Sequence, residues 1–600
     1  MNIQADASLA HSSDERIRAI APFLIIALGV LAYANSFTGV FIFDDTAVIG
    51  NNPAVKRFLS PGELIDEPKL GATRPLVLFT LELNYALGGY HTWGYHLVNL
   101  LIHITSGLIL YGIVRRTLSG RLLSASYGQS STALAAVCAA VWVVHPLQTQ
   151  SVTYIVQRCE SLCGLFYLLT LYAVIRGGQR DETDRRSKTI GWNVTAVVAC
   201  TAGMLSKAVM VTAPVIVLIY DRIFLSRSFG ELFRRRWPLY CGLASTWGIL
   251  FWLRWRVPPD NLKSSSRFYE DATAAEYLAT QAGVLVHYLR LAFWPHPLSL
   301  DYNWQKVDRL LDAWLPGSFI LLLLMTTAVL LWRRPHVGFL GVWFFGVLAP
   351  TSSFVPIYDI AVEHRMYLSL AAVVVAVVLG VFNLTRRLPL SVASQRAIRT
   401  AAVVVLVGVF TVMTCLRNAD YHSRLGMWRD VASVCPDNAR AHFNVGLSLI
   451  TEKRFEEAVA PIQRALEIMP DFEIAMLKLG HVYLELRNPK EAERWLIEVR
   501  RIRPRLRTLN FSLALACQRQ GKIAKAIRYY NDAIDLEPTN YAAHVNLGTL
   551  YASEGQFADA VKQFEIAASL RPADANSQEN LRWAREMLSK RQSDSNTDGG

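Results

Sequence analysis

The sequence predicts an all-α protein in which a polytopic membrane domain of about eleven helical spans precedes a solenoid of short helical repeats. Two observations lead to this fold class. Of the 600 residues, 52% are hydrophobic and only 18% are charged, whereas an ordinary globular protein has about 25% charged residues. Nearly all of the apolar excess precedes residue 417, and beyond it the chain becomes charged and proline recurs at a fixed interval.

Eleven apolar segments are candidates for crossing the roughly 30 Å of hydrocarbon in a bilayer. They lie at 17–37, 95–114, 133–146, 161–176, 190–205, 207–224, 238–254, 314–332, 337–350, 366–384 and 399–416. No small-residue cleavage site follows the first segment, so we expect an uncleaved anchor rather than a removed signal peptide. The predicted division is a cytoplasmic tail (1–17), a transmembrane domain (18–417), a repeat domain (418–590) and a disordered tail (591–600).

Basic residues predict the orientation of the spans, because short cytoplasmic loops are rich in Lys and Arg. Every second loop is basic, and these loops carry Arg115 and Arg116, Arg180 and Arg185, Arg234 to Arg236, Arg333 and Arg334, and Arg386 and Arg387. The net charge of +13 is therefore mainly a topology signal and does not indicate nucleic-acid binding. Segment 277–294 contains His287 and Arg290, so we place 255–313 outside with this segment as a surface helix. The N-terminus is then cytoplasmic and the repeat domain extracytoplasmic.

Prolines recur every 34 residues in the C-terminal part, which is the period of tetratricopeptide repeats; they are Pro436, Pro470, Pro504, Pro538 and Pro572. Small residues for close helix packing fall in register between them, at Gly446, Gly480, Ala514 and Gly548 and at Ala458, Ala492, Ala526 and Ala560. Asn438 and Asn540 stand where helix N-caps are expected. The pattern predicts four repeats over 439–572 and a polar capping helix near 575–590. Such an array binds partners, so any catalysis belongs to the membrane domain.

Asp44 and Asp45 stand directly after the first span, at the start of a long external loop. The same side of the membrane collects further polar residues, namely Arg158, Glu160, Lys207, Asp301, Glu363, His364 and Arg365. A charge at the centre of a span costs about 2.5–3.5 kcal/mol, so polar residues kept near that depth on one side indicate a shared cavity. A carboxylate can accept a proton from a hydroxyl, and Arg and Lys can hold a phosphate. Together they suit displacement of a lipid phosphate from a sugar, with inversion and an oxocarbenium-like transition state.

Structural interpretations stand beside these functional ones. The acidic pair can cap the structure that follows, and a cation at a two-span turn can extend to the headgroups. Asp44 and Asp45 are the candidates for the cap, and Lys207 is the cation at the two-span turn. Arg158 can instead form a local ion pair with Glu160, and Glu363 with Arg365.

Six segments carry a resemblance to a known family. They are FIFDDTAVIGNN (41–52), RPLVLFTLELNYALGGYHTWGYHLVNLLIH (74–103), HPLQTQSVTYIVQRCESL (145–162), LSKAVMVTAPVIVLIYD (205–221), LSLDYNW (298–304) and VPIYDIAVEHRMYL (355–368). The chain resembles bacterial relatives of the transmembrane and tetratricopeptide repeat-containing proteins, within the GT-C class of glycosyltransferases. The resemblance implies a GT-C-like membrane domain, a polyprenyl-phosphate sugar donor, and an acidic pair in the first external loop as the catalytic element.

Carried onto this sequence, the resemblance makes Asp44 or Asp45 the base without deciding between them. Donor-phosphate binding is assigned to Arg158, Lys207, His364 and Arg365, and supporting roles to Arg74, Glu160, Asp301 and Glu363. Asn444 and Asn546 occupy equivalent positions in the first helices of two repeats and are candidates for a peptide groove. No cofactor is firmly implied, and a divalent metal stays an open alternative without support from the sequence. Eight scattered Cys without a C-x-x-C pair argue against a zinc site, and no residue set specifies another metal.

The expected function is transfer of mannose or another hexose from a polyprenyl-phosphate carrier to hydroxyl groups of extracytoplasmic proteins, in the bacterial inner membrane. The expected partners are the lipid-linked donor, the acceptor protein or peptide, and the bilayer. Two other classes remain open: a non-catalytic membrane-anchored scaffold, which would tolerate loss of the acidic pair, and a lipid-sugar transporter. A transporter would carry charges in mid-membrane and show inverted repeats, whereas this sequence shows clustering at one side and no such symmetry.

Overall fold

The computed structural model describes residues 2–67, 70–178, 186–256, 273–357 and 359–597. These residues form helices and no strand. Arg180 and Arg185 of a predicted cytoplasmic loop, residues 257–272 of the predicted external loop, and residues 598–600 of the predicted tail lie outside the described residues. The chain divides into two compact units, Met1–Val434 and Cys435–Gly600.

The helices of the first unit vary from single turns to long apolar rods. In chain order they are α1 (Asn2–Tyr33), α2 (Pro61–Asp66), α3 (Pro75–Gly88), α4 (Thr92–Leu118), α5 (Ser124–Tyr127), α6 (Ser131–Val144), α7 (Thr149–Val152), α8 (Arg158–Gly178), α9 (Arg186–Met204), α10 (Ala213–Tyr220), α11 (Phe229–Arg256), α12 (Ala274–Phe293), α13 (Trp314–Arg333), α14 (Pro335–Leu348), α15 (Met366–Thr385), α16 (Val392–Ala419) and α17 (Arg424–Val434). Proline in the first turn begins α2, α3 and α14, where its missing N–H costs nothing.

Eight helical segments among the described residues are long and apolar enough to cross a membrane. They are Asp14–Thr38, Thr92–Leu118, Ser124–Val144, Ile155–Gly178, Ala208–Leu225, Leu310–Arg333, Glu363–Thr385 and Val392–His422. Each contains one of the predicted spans or most of it. The predicted total of about eleven is not confirmed, because the other three segments form helices that do not meet both criteria.

The three remaining segments fail for different reasons. Helix α14 is apolar but has only 14 residues, about 21 Å at 1.5 Å per residue. Helices α9 and α11 are long enough, at 19 and 28 residues, but they are not apolar enough over a full window. Helix α12, which we predicted to lie on the membrane surface, is also absent from the apolar set of the described helices. One face of α12 is buried, through Val284 and Tyr288, and Leu278 on the other is exposed.

The core of the first unit is built where α1, α4, α6, α8 and α15 pack together. Trp142 of α6 has no exposed surface, and its Nε1–H donates to the Tyr367 carbonyl of α15 at 3.1 Å. Helices α4 and α6 approach so closely that a Cβ added at Gly107 would lie 2.4 Å from the Val143 side chain. These contacts hold the C-terminal end of α6 against α4 and α15, directly before the segment that begins at His145.

Helix α17 belongs to the first unit, although 418–434 was predicted to begin the repeat domain. Arg417, at the end of α16, donates through Nη1 to Asp420 at 3.0 Å and to Asp430 of α17 at 2.6 Å. The Arg424 side chain donates to the Phe41 carbonyl at 2.7 Å, in the loop after α1. The segment after the last span therefore folds back onto the membrane domain.

The second unit is a run of antiparallel helix pairs at the predicted period. Its helices are α18 (Ala439–Thr451), α19 (Phe455–Ile468), α20 (Glu473–Glu485), α21 (Pro489–Ile502), α22 (Arg507–Arg519), α23 (Ile523–Leu536), α24 (Tyr541–Ser553), α25 (Phe557–Leu570) and α26 (Ala575–Thr597). The predicted N-caps are confirmed: Asn438 Oδ1 accepts the Ala441 N–H at 3.0 Å, and Asn540 Oδ1 accepts that of Ala543 at 3.1 Å. Helix α26 runs through 591–597, which we had predicted to be disordered.

Candidate active site

The loop that carries the acidic pair is held from two sides. On one side the Phe41 ring packs edge-on against Tyr95 of α4, with ring centres 5.4 Å apart. On the other, the Phe43 ring packs edge-on against Trp428 of α17 at 5.3 Å. Phe43 has φ of 41°, a left-handed conformation that non-glycine residues adopt rarely and that is often found beside functional sites. The loop conformation just before the acidic pair is therefore imposed by its neighbours.

A close approach at Gly39 sets the start of this loop. A Cβ at this position would lie 2.9 Å from His96 Nε2 and 2.9 Å from the Ser36 carbonyl oxygen. Only glycine allows the chain to turn this tightly against α4. The next residue, Val40, donates its N–H to the Tyr421 carbonyl at 3.1 Å.

The two members of the acidic pair occupy different environments. Asp45 has no exposed surface; its Oδ2 accepts the Ile42 N–H at 3.1 Å, and its Oδ1 accepts the Val156 N–H at 2.7 Å. Burial, helped by the neighbouring charge of Asp44 and opposed by the backbone donors, raises the pKa of Asp45 from 3.8 to about 8. Asp45 thus connects the loop to the segment that precedes α8.

Asp44 is the member of the pair that is exposed. Its backbone N–H donates to the Tyr154 hydroxyl at 3.0 Å, which fixes the position of the residue but leaves the carboxylate accessible. Tyr154 is buried, and burial followed by the charges of Asp44 and Asp45 raises the pKa of its hydroxyl. A reactant can therefore reach Asp44 but not Asp45.

Basic side chains lie in and near the short turn Glu363–Arg365. His364 lies in this turn, and its Nδ1 is 3.0 Å from Gln150 Oε1, which also accepts the His364 N–H at 2.8 Å. The positive charges that act electrostatically on His364 are those of Lys207, Arg365 and Arg74. Four of the predicted residues are thus brought into one basic region, which we call the basic cluster (Arg74, Lys207, His364 and Arg365).

Lys207 and Arg74 differ in their partners. Lys207 forms an ion pair with Glu160 of α8, and its side chain keeps 12% of its surface exposed. Arg74 precedes α3, is partly exposed, and contacts the Cys159 Sγ through Nη1 at 3.3 Å. Among the described residues no carboxylate forms an ion pair with Arg74, so its charge is available to an anion.

The Glu363–Arg365 ion pair considered from the sequence does not form. The Glu363 carboxylate accepts the Ser299 N–H at 2.7 Å and the Tyr302 hydroxyl at 2.8 Å. Arg365 donates instead to the carbonyl oxygens of Ile360, at 2.8 Å, and Asp359. Its guanidinium is oriented by neutral acceptors, with no carboxylate among these hydrogen-bond partners.

Asp301 supports the loop that faces this turn. Its Oδ1 accepts the Asn303 N–H at 3.1 Å, and only 8% of its surface is exposed. The adjacent Leu300 carbonyl accepts from the side-chain amide of Gln150 at 3.2 Å, so the loop is joined to the same glutamine that binds His364.

Arg158 is enclosed by protein, and the geometry favours a structural role over phosphate binding. It has no exposed surface. Its nitrogens donate to Asn99 Oδ1 at 2.7 Å, to the Thr80 carbonyl at 3.0 Å and to the Tyr95 carbonyl at 3.0 Å. The Arg158–Glu160 pair is also not formed, because Glu160 binds Lys207. Arg158 joins α3, α4 and α8.

Sequence reasoning missed Gln150 and Tyr154, which contact His364 and Asp44 respectively. Both lie in segment 145–162, which we singled out for other residues. In this segment Gln150, Tyr154, Val156, Cys159 and Glu160 each contact a different candidate group. Neutral side chains within a conspicuous segment gave no signal of their own.

In the repeat unit, the two candidate groove residues are partly buried and already hydrogen-bonded. Asn444 donates through Nδ2 to the Arg440 carbonyl of its own helix at 2.8 Å, and Asn546 donates to the Tyr530 hydroxyl at 3.0 Å. Each amide has one further N–H to offer. Across the described residues, no group of three or more His, Cys, Asp or Glu side chains is placed to hold a metal ion.

Sequence comparison finds similarity to known families in both units. Residues 66–255 match the family described as dolichyl-phosphate-mannose-protein mannosyltransferase, and residues 449–507 and 511–577 match tetratricopeptide repeats. Human protein O-mannosyl-transferase TMTC4 is 23% identical over 487 residues, covering 72% of this chain and 64% of the relative. Drosophila melanogaster protein O-mannosyl-transferase Tmtc3 is 25% identical over 614 residues, covering 89% and 66%. The chain is similar to the TMTC protein O-mannosyl-transferases.

The TMTC relatives extend beyond the matched region, because this chain spans just under two thirds of their length. The mannosyltransferase match contains Arg74, Arg158, Glu160 and Lys207, whereas the acidic pair and the turn Glu363–Arg365 lie outside it. Among solved structures, MamA from Desulfovibrio magneticus RS-1 is 22% identical, covering 27% of this chain and 91% of MamA, with a TM-score of 0.25.

Proposed function

We propose that the chain is a membrane glycosyltransferase that moves mannose or another hexose from a polyprenyl-phosphate carrier to hydroxyl groups of extracytoplasmic proteins. The observation that carries this proposal is the division of the acidic pair. One carboxylate, Asp44, is accessible, while Asp45 holds the loop in place. Segment 145–162 contacts both this loop and the basic cluster, which supports a common site.

The proposed role of Asp44 is that of a general base. The acceptor hydroxyl oxygen attacks the anomeric carbon of the sugar, the bond from that carbon to the phosphate oxygen breaks, and the hydroxyl proton passes to the Asp44 carboxylate. The acceptor attacks from the face opposite the phosphate, so the configuration inverts. A well-placed base of this kind contributes about 10²- to 10⁴-fold to the rate.

The basic cluster is proposed to bind the departing lipid phosphate. A phosphate leaving as an anion needs nearby positive charge more than it needs a proton donor. Arg365 offers a planar guanidinium oriented by backbone carbonyls, and Arg74 offers a charge without a carboxylate partner in the described part of the chain. Lys207, already paired with Glu160, contributes less net charge.

The repeat unit is proposed to bind the acceptor polypeptide or a partner subunit. An acceptor bound to the repeats would be tethered to the same chain as Asp44, which would raise its effective concentration there. We further propose that the protein lies in a bacterial inner membrane, with its N-terminus in the cytoplasm and the repeats outside, as the alternation of basic loops indicates.

Comparing exported proteins from a strain lacking this chain with those of its parent tests the proposal. Mass spectrometry should find hexose on Ser or Thr of some exported proteins in the parent and in a strain complemented with the wild-type gene. The same sites should be unmodified in the deletion strain and in a strain complemented with Asp44→Asn. Unchanged modification in the deletion strain would contradict the proposal and favour a scaffold.

A further inference from the structure

The first unit contains an apolar cavity of about 300 Å³ between α4, α8, α10, α14 and α15. Its walls include Ile113 of α4, Leu168 of α8, and Phe339 and Trp343 of α14. A volume of this size lies at the lower end of small-molecule sites. Apolar cavities of this kind exclude water and accept hydrocarbon.

The cavity lies far from the candidate active site. Helix α4 begins beside the loop of the acidic pair, where Tyr95 packs against Phe41. Ile113, which lines the cavity, follows Tyr95 by 18 positions on the same helix. At 1.5 Å per residue this separation is about 27 Å, nearly the thickness of the hydrocarbon layer. The cavity therefore belongs to the end of the bundle where the basic loops lie.

One wall of the cavity opens to the outer surface of the bundle. Val337, Ala376 and Gly380 line the cavity and are exposed. Ala376 and Gly380 lie on α15, within a segment long and apolar enough to cross the membrane. The hydrocarbon that reaches this opening is that of the surrounding bilayer.

Cations stand at the polar edge of the same opening. Asn383 lines the cavity and donates to the Tyr127 hydroxyl at 2.7 Å. The neighbouring Phe382 ring is flanked by two guanidinium groups, Arg386 at 5.6 Å and Arg399 at 4.9 Å from the ring centre. Neither arginine forms an ion pair with a carboxylate within the described ranges, and Arg386 donates to the Ser126 carbonyl at 3.2 Å.

We propose that this cavity binds one anionic phospholipid, with an acyl chain between α14 and α15 and its phosphate at Arg386 and Arg399. The apolar walls match the chain, and the two unpaired guanidinium groups match the phosphate. The distance from Asp44 separates this site from the proposed donor site, so the lipid is a bound component rather than a substrate. The proposal does not depend on the proposed transferase activity.

Two pairs of matched variants test the proposal in the purified full chain. A Cβ at Gly380 meets no protein atom within 4 Å, so Gly380→Leu extends into the opening without a clash. Gly408 of α16 is equally exposed and equally free of contacts, so Gly408→Leu is its control. Arg386→Gln with Arg399→Gln removes the proposed phosphate ligands, and Arg387→Gln with Arg396→Gln removes two exposed neighbours.

Native mass spectrometry and thermal unfolding should be measured with phosphatidylglycerol, phosphatidylcholine or polyprenyl phosphate added. We expect the wild type to retain one phosphatidylglycerol and to be stabilised by it, but not by phosphatidylcholine. Gly380→Leu and Arg386→Gln/Arg399→Gln should each bind phosphatidylglycerol at least tenfold more weakly, and both controls should bind as the wild type does. Equal loss in the controls, unchanged binding in Gly380→Leu, or preference for polyprenyl phosphate at this site would overturn the proposal.

Discussion

The Val156 N–H donates a 2.7 Å hydrogen bond to the Asp45 carboxylate, joining the loop after the first span to the segment that precedes α8. Two positions earlier, the Tyr154 hydroxyl accepts the N–H of Asp44. The same segment therefore sets both members of the acidic pair, burying one and presenting the other. This division assigns separate, testable roles to two adjacent and chemically identical residues.

Substituting the two aspartates should change different properties, turnover for Asp44 and stability for Asp45. Asp44→Asn keeps the size of the side chain and removes its basicity, so turnover should fall by about 10²- to 10⁴-fold while the unfolding temperature stays unchanged. In Asp45→Asn one of the two backbone N–H groups that the carboxylate accepts loses its acceptor, because an amide nitrogen cannot accept a hydrogen bond. The loss should cost about 1–3 kcal/mol of stability. Steady-state kinetics and thermal unfolding of both variants check this. A stable, fully active Asp44→Asn enzyme would remove the assigned base.

The raised pKa of Asp45 predicts a pH dependence of stability. Its folded-state pKa of about 8 lies above the ordinary value of 3.8, so the folded protein holds this proton more tightly than the unfolded chain does. The resulting stabilisation is complete below about pH 4 and is lost as pH rises through 8. Thermal unfolding of wild type and Asp45→Asn between pH 4 and 9 should therefore converge as pH increases. A constant difference between the two proteins would contradict the assignment.

Two arginine substitutions distinguish phosphate binding from structural support. Arg365→Lys keeps the charge but loses the planar fork, so the KM for the lipid-linked donor should rise several-fold with little change in the KM for the acceptor. Arg158→Lys leaves acceptors on α3 and α4 without donors, so it should lower the unfolding temperature and leave the donor KM unchanged. An unaltered donor KM in Arg365→Lys would return that residue to a structural role.

Two truncations separate the repeats from the segment that holds the catalytic loop. Removing 435–600 leaves α17 and its contacts with Phe41 and Phe43 in place. This enzyme should still modify a short peptide at high concentration and lose efficiency on whole protein acceptors. Removing 424–600 also removes Arg424 and Trp428, so activity on the short peptide should fall as well. Equal activity of the two truncated enzymes on the peptide would show that α17 does not position the loop.

Periodic features of the sequence predicted the fold well. The 34-residue spacing of proline and the in-register small residues predicted the helix pairs of the repeats, and Asn438 and Asn540 serve as the expected caps. These signals are local, because they arise from turn chemistry and from contacts between adjacent helices. The end of the membrane domain was less predictable, since contacts that join α17 to the first unit, among them Arg424 with Phe41 and Trp428 with Phe43, link residues far apart in the chain.

The depth of individual charges was not predictable from the sequence. Arg158 and Arg365 both follow external turns and begin spans, yet Arg158 donates to α3 and α4 whereas Arg365 donates to backbone carbonyls just before its own turn. Likewise, the sequence around Asp44 and Asp45 does not indicate which of the two carboxylates is buried. Burial depends on how distant helices pack, and that information lies outside any single segment.

Transfer of sugar by the purified protein tests the central claim most directly. The full chain should be incubated with polyprenyl-phosphate mannose and a Ser/Thr-containing peptide, and the peptide mass recorded. We predict that wild type adds one hexose and inverts its anomeric configuration. Asp44→Asn, at the same protein concentration and with an unchanged unfolding temperature, should add hexose at least about 10²-fold more slowly. Hexose addition by Asp44→Asn at the wild-type rate, or retention of configuration in the product, would contradict the account.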